Sequence, residues 1–143
     1  MKITGLKTHI FSSQHRNAKR NWLIVRLMTD EGIEGLGEAS MLGHDPLVAA
    51  LLEEWADSYL VGKDPMAHEL HWMRLHQDSG GRGGRLFSTA LSGIDLALWD
   101  LRGKALGVPV YQLLGGPIRD RIRVYANGWY TTPGAPELNA EEA

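Results

Sequence analysis

The chain has 143 residues, no cysteine, five tryptophans and a formal net charge of −2. That composition excludes disulfides, thiolate nucleophiles and Cys–zinc centres, and it leaves no basic excess to draw the chain to nucleic acid or an anionic membrane. With 43 % apolar residues, no run near the roughly 20 of a membrane span and no apolar leader with a cleavage site, a globular cytoplasmic protein is expected.

Residues 2–11 alternate loosely, with Ile3, Leu6 and Ile10 set among Lys2, Thr4, Lys7 and His9, and predict a strand. Residues 12–21 (SSQHRNAKRN) are polar and basic and predict an exposed loop. Residues 22–29 (WLIVRLMT) predict a second strand, Asp30-Glu31-Gly32 a turn, and residues 33–39 (IEGLGEA) the returning strand. On that last strand Ile33, Gly35, Gly37 and Ala39 alternate and are mostly small, so another backbone is expected to pack closely against them. The opening is therefore a three-stranded antiparallel meander.

The period then changes from two to three or four. Asp45 followed by Pro46 predicts an N-cap with proline at the first helical position. Leu47, Leu51, Trp55 and Tyr59 carry that helix to Gly62. Asp64-Pro65 repeats the start signal for a second helix through Met66, Leu70, Met73 and Gln77. Residues 79–85 (SGGRGGR) break it, and residues 86–106 predict a long third helix, apolar on most sides. Gly93 and Gly103 inside it each cost about 1 kcal/mol relative to alanine and so imply close packing. A helix apolar on most sides asks for a layer on both flanks. Gly107 and Pro109 stop it, residues 111–114 give one further turn, and Gly115-Gly116-Pro117 ends that. Residues 122–127 alternate again and predict a new strand outside the helical layer. Residues 139–143 (NAEEA) look like a helix start, so the chain is expected to be a truncation. The fold class is α+β, a three-stranded antiparallel meander followed by a helical layer.

Several groups carry potential chemistry. His68, His71 and His76 lack metal-ligand spacing and read as partly solvated helix histidines. The SGGRGGR run lacks Gly-Lys-Ser/Thr and a preceding strand, so it reads as a connector, with an anion received at the helix start as the competing reading. Asp95 and Asp100 are five residues apart and point about 140° away from each other, which favours structural pairing, Asp100 with Lys104 at i,i+4. Glu34 and Glu38 share one strand face, but no third oxygen ligand is evident. The loop with His15, Arg16, Asn17, Lys19 and Arg20, and the segment Gly43-His44-Asp45, leave strands of one sheet and offer donors for carboxylates and hydroxyls; spacing alone reads both as solvated loops.

The segment GIDLALWDLRGKALGVPVYQLLGG (residues 93–116), with TDEGIEGLGEA (residues 29–39), resembles the mandelate racemase and muconate-lactonizing group of the enolase superfamily. GGRLFSTALSGID with the exit PIRDRIRVY is most similar to sugar-acid dehydratases of the galactonate dehydratase type. The resemblance covers nearly the whole chain. It implies that residues 1–120 form an N-terminal capping domain and that residues 121–143 begin a (β/α)₈ barrel, with residues 122–127 as its first strand. In that family two mobile cap loops close over the barrel mouth. They correspond to residues 12–21 and 40–45, which makes His15, Arg16 and His44 substrate contacts. Asn127 and Trp129 would face the active site from the end of the barrel strand.

The implied chemistry is proton abstraction next to a carboxylate by a Lys or His base, with Mg²⁺ stabilising the enediolate, then loss of the β-hydroxyl. The family's base and metal ligands lie on later barrel strands. This chain would thus hold no catalytic residue, no metal ligand and no activity by itself. Its partners would be a sugar-acid substrate, its own barrel and further copies in a homo-oligomer. A racemase, epimerase or cycloisomerase of the same superfamily is the near alternative. A stand-alone, non-catalytic binding module is the alternative from another class.

Overall fold

A computed structural model describes residues 1–15, 18–78 and 83–125 of the chain. Three antiparallel strands, β1 (Ile3–His15), β2 (Ala18–Thr29) and β3 (Glu34–Glu38), pair in the order β1-β2-β3. Four helices follow: α1 (Asp45–Trp55), α2 (His68–Asp78), α3 (Arg85–Leu106) and the single turn α4 (Val110–Leu113). The α+β meander and helical layer expected from the sequence are present.

The register sets the faces of the sheet. Leu6, Leu27 and Gly35 stand opposite one another across the strands, as do Thr8, Val25 and Gly37. This face meets the helices, and Leu23, Val25 and Leu27 pack with Ile94, Ala97, Leu98 and Leu101 of α3 and Val48, Leu52 and Trp55 of α1. Lys7, His9, Phe11, Trp22, Ile24, Arg26, Glu34, Leu36 and Glu38 lie on the other face.

The small residues of β3 bring α3 almost onto the strand. A Cβ at Gly35 would overlap the Ala97 carbonyl oxygen and lie 2.8 Å from the Leu101 Cβ. One at Gly37 would overlap the Gly93 carbonyl oxygen, and one at Gly93 would lie 2.7 Å from the Ala39 Cβ. The helix also closes the open edge of β3. Asp100 Oδ2 accepts the Leu36 N–H at 2.7 Å, and Lys104 Nζ donates to the Glu34 carbonyl at 2.9 Å. Asp100 and Lys104 are themselves paired at 2.6 Å. An edge strand otherwise exposes a row of unpaired backbone groups. At the other end Gly107, with φ +68°, stops α3 while the Val108 N–H donates to Gly103 O at 3.0 Å and the Gly107 N–H to Lys104 O at 3.2 Å. That is a Schellman ending. Gly103 is required because a Cβ there would lie 2.8 Å from the Val108 carbonyl oxygen.

Several elements depart from expectation. Residues 12–15 and 18–21 are strand rather than loop, since Ser12, Ser13, Gln14 and His15 pair with Asn21, Arg20, Lys19 and Ala18 and lengthen β1 and β2. The polar sequence of this stretch carries no hydrophobic alternation to announce a strand. The helix begun at Asp45 does not run unchanged to Gly62. It widens into a π turn over Ala56–Leu60, marked by the Val61 N–H bond to Ala56 O at 2.9 Å. That turn delivers Gly62 and Lys63 to the start of β1, where Gly62 N donates to Ile3 O at 2.8 Å and Ile3 N to Lys63 O at 2.9 Å. α2 starts at His68, because the Asp64 carboxylate accepts the Met66 N–H at 2.9 Å and holds residues 64–66 in a turn. Arg119 to Tyr125 are exposed and enter no ladder, and the strand expected from residue 122 runs on past residue 125, outside the described residues.

Candidate functional site

β1 and β3 run in the same direction, so the segments leaving them emerge at one end of the sheet. The segment leaving β3 is tied at both ends. Ala39 N–H donates to Leu23 O at 2.9 Å, and Ser40 Oγ accepts the Leu23 N–H at 3.0 Å. Met41 to His44 then form a turn closed by the His44 N–H bond to Met41 O at 2.8 Å, with Gly43 at φ +82°. Only glycine takes that conformation without strain. Asp45 Oδ1 accepts the Met41 N–H at 2.8 Å and fastens the turn to the first residue of α1. Asp45 is therefore not the N-cap. His44 holds that position, and its carbonyl accepts the Leu47 and Val48 N–H groups at 3.0 and 3.3 Å. His44 and Leu42 are exposed, whereas Asp45 is wholly buried.

The β1–β2 arm forms the second projection. β3 pairs with β2 only from Ile24 to Met28. Beyond that, the pairs from Phe11–Trp22 to His15–Ala18 extend without a third strand. Ala18 therefore stands about 17 Å beyond Leu23, five residues of strand. Phe11 and Trp22 face each other across the arm and stay 57 % and 45 % exposed.

Of the five proposed contacts, His44 is placed on an exposed turn, and His15 ends β1 with its side chain outside the described part. Arg16, Asn127 and Trp129 lie outside the described residues. The structure therefore does not bring these side chains together as one site. It does place the bases of the two projections at one end of one sheet.

The other polar groups are engaged in holding elements together. His68 and His71 are not partly solvated but buried, because α2 turns that face onto α3 and the preceding turn. His68 Nε2 bonds Asp95 Oδ1 at 2.6 Å with the Trp99 ring edge-on at 4.6 Å, and His71 Nε2 bonds Asp64 O at 2.8 Å. His76 stacks on Trp72 at 4.9 Å. Asp95 and Asp100 point to different partners as their spacing required, α2 for the first and β3 for the second. Arg26 donates to both Glu34 oxygens at 2.7 and 2.5 Å. Those hydrogen bonds lower the Glu34 carboxyl below its ordinary value and raise Arg26. Asp78 accepts Trp55 Nε1 at 2.7 Å and Tyr59 Oη at 2.6 Å, and the latter bond raises the Tyr59 hydroxyl. Of the SGGRGGR run, residues 79–82 lie outside the described residues, and Gly83 and Gly84 take φ +64° and +100° before α3. Among the described residues no three His, Asp or Glu side chains converge to hold a metal ion. The residue that sequence reasoning missed is Asp45, whose role as a clamp could have been suspected only from a backbone donor four residues before it.

Residues 5–115 match the family described as mandelate racemase / muconate lactonizing enzyme, N-terminal domain. The chain is 45 % identical over 129 residues to the D-galactonate dehydratase of Verminephrobacter eiseniae, covering 90 % of this chain and 31 % of that protein. It is similar to the 3,6-anhydro-D-galactonate cycloisomerase of Zobellia galactanivorans, with TM-score 0.72 and 32 % identity over 81 % of this chain and 32 % of that one. It is also similar to an enolase of Pantoea ananatis with bound D-gluconate and Mg, with TM-score 0.75 and 38 % identity over 83 % of this chain and 28 % of that one. The chain thus spans about a third of the length of the curated relatives it matches.

Proposed function

The chain belongs to the mandelate racemase and muconate-lactonizing family of the enolase superfamily, as its N-terminal domain, and on that premise we propose that it caps the active site of a sugar-acid dehydratase. The observation that carries this reading is the 45 % identity to D-galactonate dehydratase along 90 % of the chain. In this reading the turn at residues 41–44 and the β1–β2 arm lie over a barrel mouth. His44 and His15, with Arg16 from the arm, donate to the substrate's carboxylate and hydroxyls, and Asn127 and Trp129 border the same space from the first barrel strand. The cap excludes water and orients the acid.

The reaction removes the proton next to the carboxylate; the enediolate so formed expels the β-hydroxyl, which an acid protonates so that it leaves as water, and the resulting enol tautomerises to a 2-keto-3-deoxy acid. The described residues do not fit Mg²⁺, since they bring no ligand set together. As the family resemblance implies, the reading puts the metal ligands and the base that takes the proton on later barrel strands. Supporting a missing layer, Leu96 and Leu106 on α3 are 46 % and 51 % exposed, and Ile118, Ile122 and Val124 are at least 77 % exposed. These are side chains that a covering barrel would bury. Assembly into a homo-oligomer and a cytoplasmic setting are part of the same proposal; no helix of the described residues is long and apolar enough to cross a membrane.

The similarity to a cycloisomerase supports the second reading, an isomerase of the same superfamily. Product analysis with D-galactonate separates the two: a 2-keto-3-deoxy acid marks the dehydratase, and an epimer or a lactone marks the isomerase. In the full-length enzyme His44→Ala is expected to raise KM for D-galactonate about tenfold or more, the worth of one hydrogen bond to a charged group. An unchanged KM and kcat would overturn the assignment of His44.

A further inference from the structure

We propose that Asp45 is a positioning residue that holds residues 41–44 as a rigid turn and so fixes where His44 is presented. Asp45 is 0 % exposed, yet it sits at the start of a helix, where an acidic residue is normally left in water. Burying a carboxylate is costly unless it is bonded. Its Oδ1 takes the Met41 N–H at 2.8 Å, and its Oδ2 has no hydrogen-bond partner among the described residues. The carboxylate thus serves a backbone donor four residues earlier and leaves its own helix to the His44 carbonyl.

The consequence is a short cassette. Ser40 is bonded to β2, Met41 to Asp45, and His44 back to Met41. Between these ties Leu42 and Gly43 form the tip, and Leu42 is 68 % exposed. A loop fixed at three points departs from the mobile loop that the resemblance implies for residues 40–45. It is a preformed rim, which reduces the ordering cost when a ligand binds. The assignment rests on the capping reading only for what His44 touches; the clamp itself stands on the geometry.

Amide hydrogen exchange in the 143-residue chain tests the clamp directly. The Met41 amide is expected to exchange at least about tenfold more slowly than the Leu42 and Gly43 amides. Asp45→Ala should abolish that protection while Leu23, Val25 and Ala97 keep theirs, and Asp45→Asn, which retains an acceptor oxygen, should restore most of it. A wild-type Met41 amide as fast as Leu42 overturns the proposal, and so does unchanged protection in Asp45→Ala. If Asp45→Ala does not fold, the wild-type profile and Asp45→Asn decide.

A second readout uses the full-length enzyme with D-galactonate as probe. The KM increases from Asp45→Ala and His44→Ala should be non-additive, with the double variant no worse than His44→Ala alone. Additive increases overturn action through His44. If His44→Ala leaves KM unchanged, the capping reading of His44 fails, and the exchange profile still judges Asp45.

Discussion

Gly37 and Gly5 sit on the same sheet and face opposite fates on substitution. A Cβ at Gly37 meets a backbone carbonyl of α3, which cannot move aside, whereas one at Gly5 meets the flexible end of Met28 at 3.2 Å. Gly37→Ala is expected to destabilise the fold by about 3 kcal/mol and Gly5→Ala by under about 1 kcal/mol, read from urea unfolding midpoints. Asp100→Ala uncovers the Leu36 N–H and should cost about 1 kcal/mol, with increased exchange at that amide as its signature.

The Arg26–Glu34 pair is surface-exposed and contributes little, but its pH dependence has a definite sign. Glu34 is lowered from 4.5 by the Arg26 hydrogen bond. The stabilisation is therefore complete above that ordinary value and is lost as pH falls through the lowered one. Glu34→Gln should flatten the acid limb of the stability curve by removing that small contribution near neutrality, while leaving stability below the lowered value unchanged. At this scale the sequence was legible where spacing dictates geometry. The alternating small residues of β3 announced a close backbone, and Asp95 and Asp100 had to serve different neighbours. The burial of His68 and His71 was not legible, because nothing local says which face of a short helix will meet α3.

Helices α1 and α2 are joined by the Asp78 carboxylate. Trp55 and Tyr59 both reach Asp78, one from the end of α1 and the other from within Ala56–Leu60. Asp78→Ala leaves the buried Trp55 indole N–H unpaired and is expected to cost about 2 kcal/mol in thermal or urea unfolding. Tyr59 is raised from 10.0 by its bond to Asp78, so that contribution is complete below 10.0 and is lost as pH rises through the raised value. Tyr59→Phe should remove this alkaline dependence.

Element boundaries show the limits of pattern. α3 begins at Arg85, one residue from its expected start, because a 22-residue apolar helix followed by a left-handed glycine gives an unmistakable period and stop. The pairing of residues 12–15 with 18–21 was hidden because a polar stretch without hydrophobic alternation reads as a loop. The Asp45-Pro46 signal places the start of α1 to within one residue, though His44 is its cap, whereas the Asp64-Pro65 signal precedes α2 by about a turn, because Asp64 bonds the Met66 N–H.

At the scale of the molecule, the segment that names the family is an assembly device. Gly93 admits the sheet, Ala97 meets Gly35, Asp95 holds α2, Asp100 and Lys104 close the edge of β3, and Gly103 with Gly107 turns the chain back. The described residues of this segment are thus committed to packing, which is why the fold was readable from it while the contacts to a ligand were not. Contacts depend on surface loops, where a single sequence carries little periodicity. Of the five expected contacts, His44 lies on an exposed turn, whereas Arg16, Asn127 and Trp129 fall outside the described residues and the side chain of His15 does too.

The central claim is that this chain shapes and covers a site without performing its chemistry. The most direct test is to incubate the purified 143-residue chain with D-galactonate and a panel of related sugar acids in the presence of Mg²⁺ and assay 2-keto-3-deoxy product. The account predicts none above the uncatalysed blank, and sustained turnover of any of these acids would contradict it.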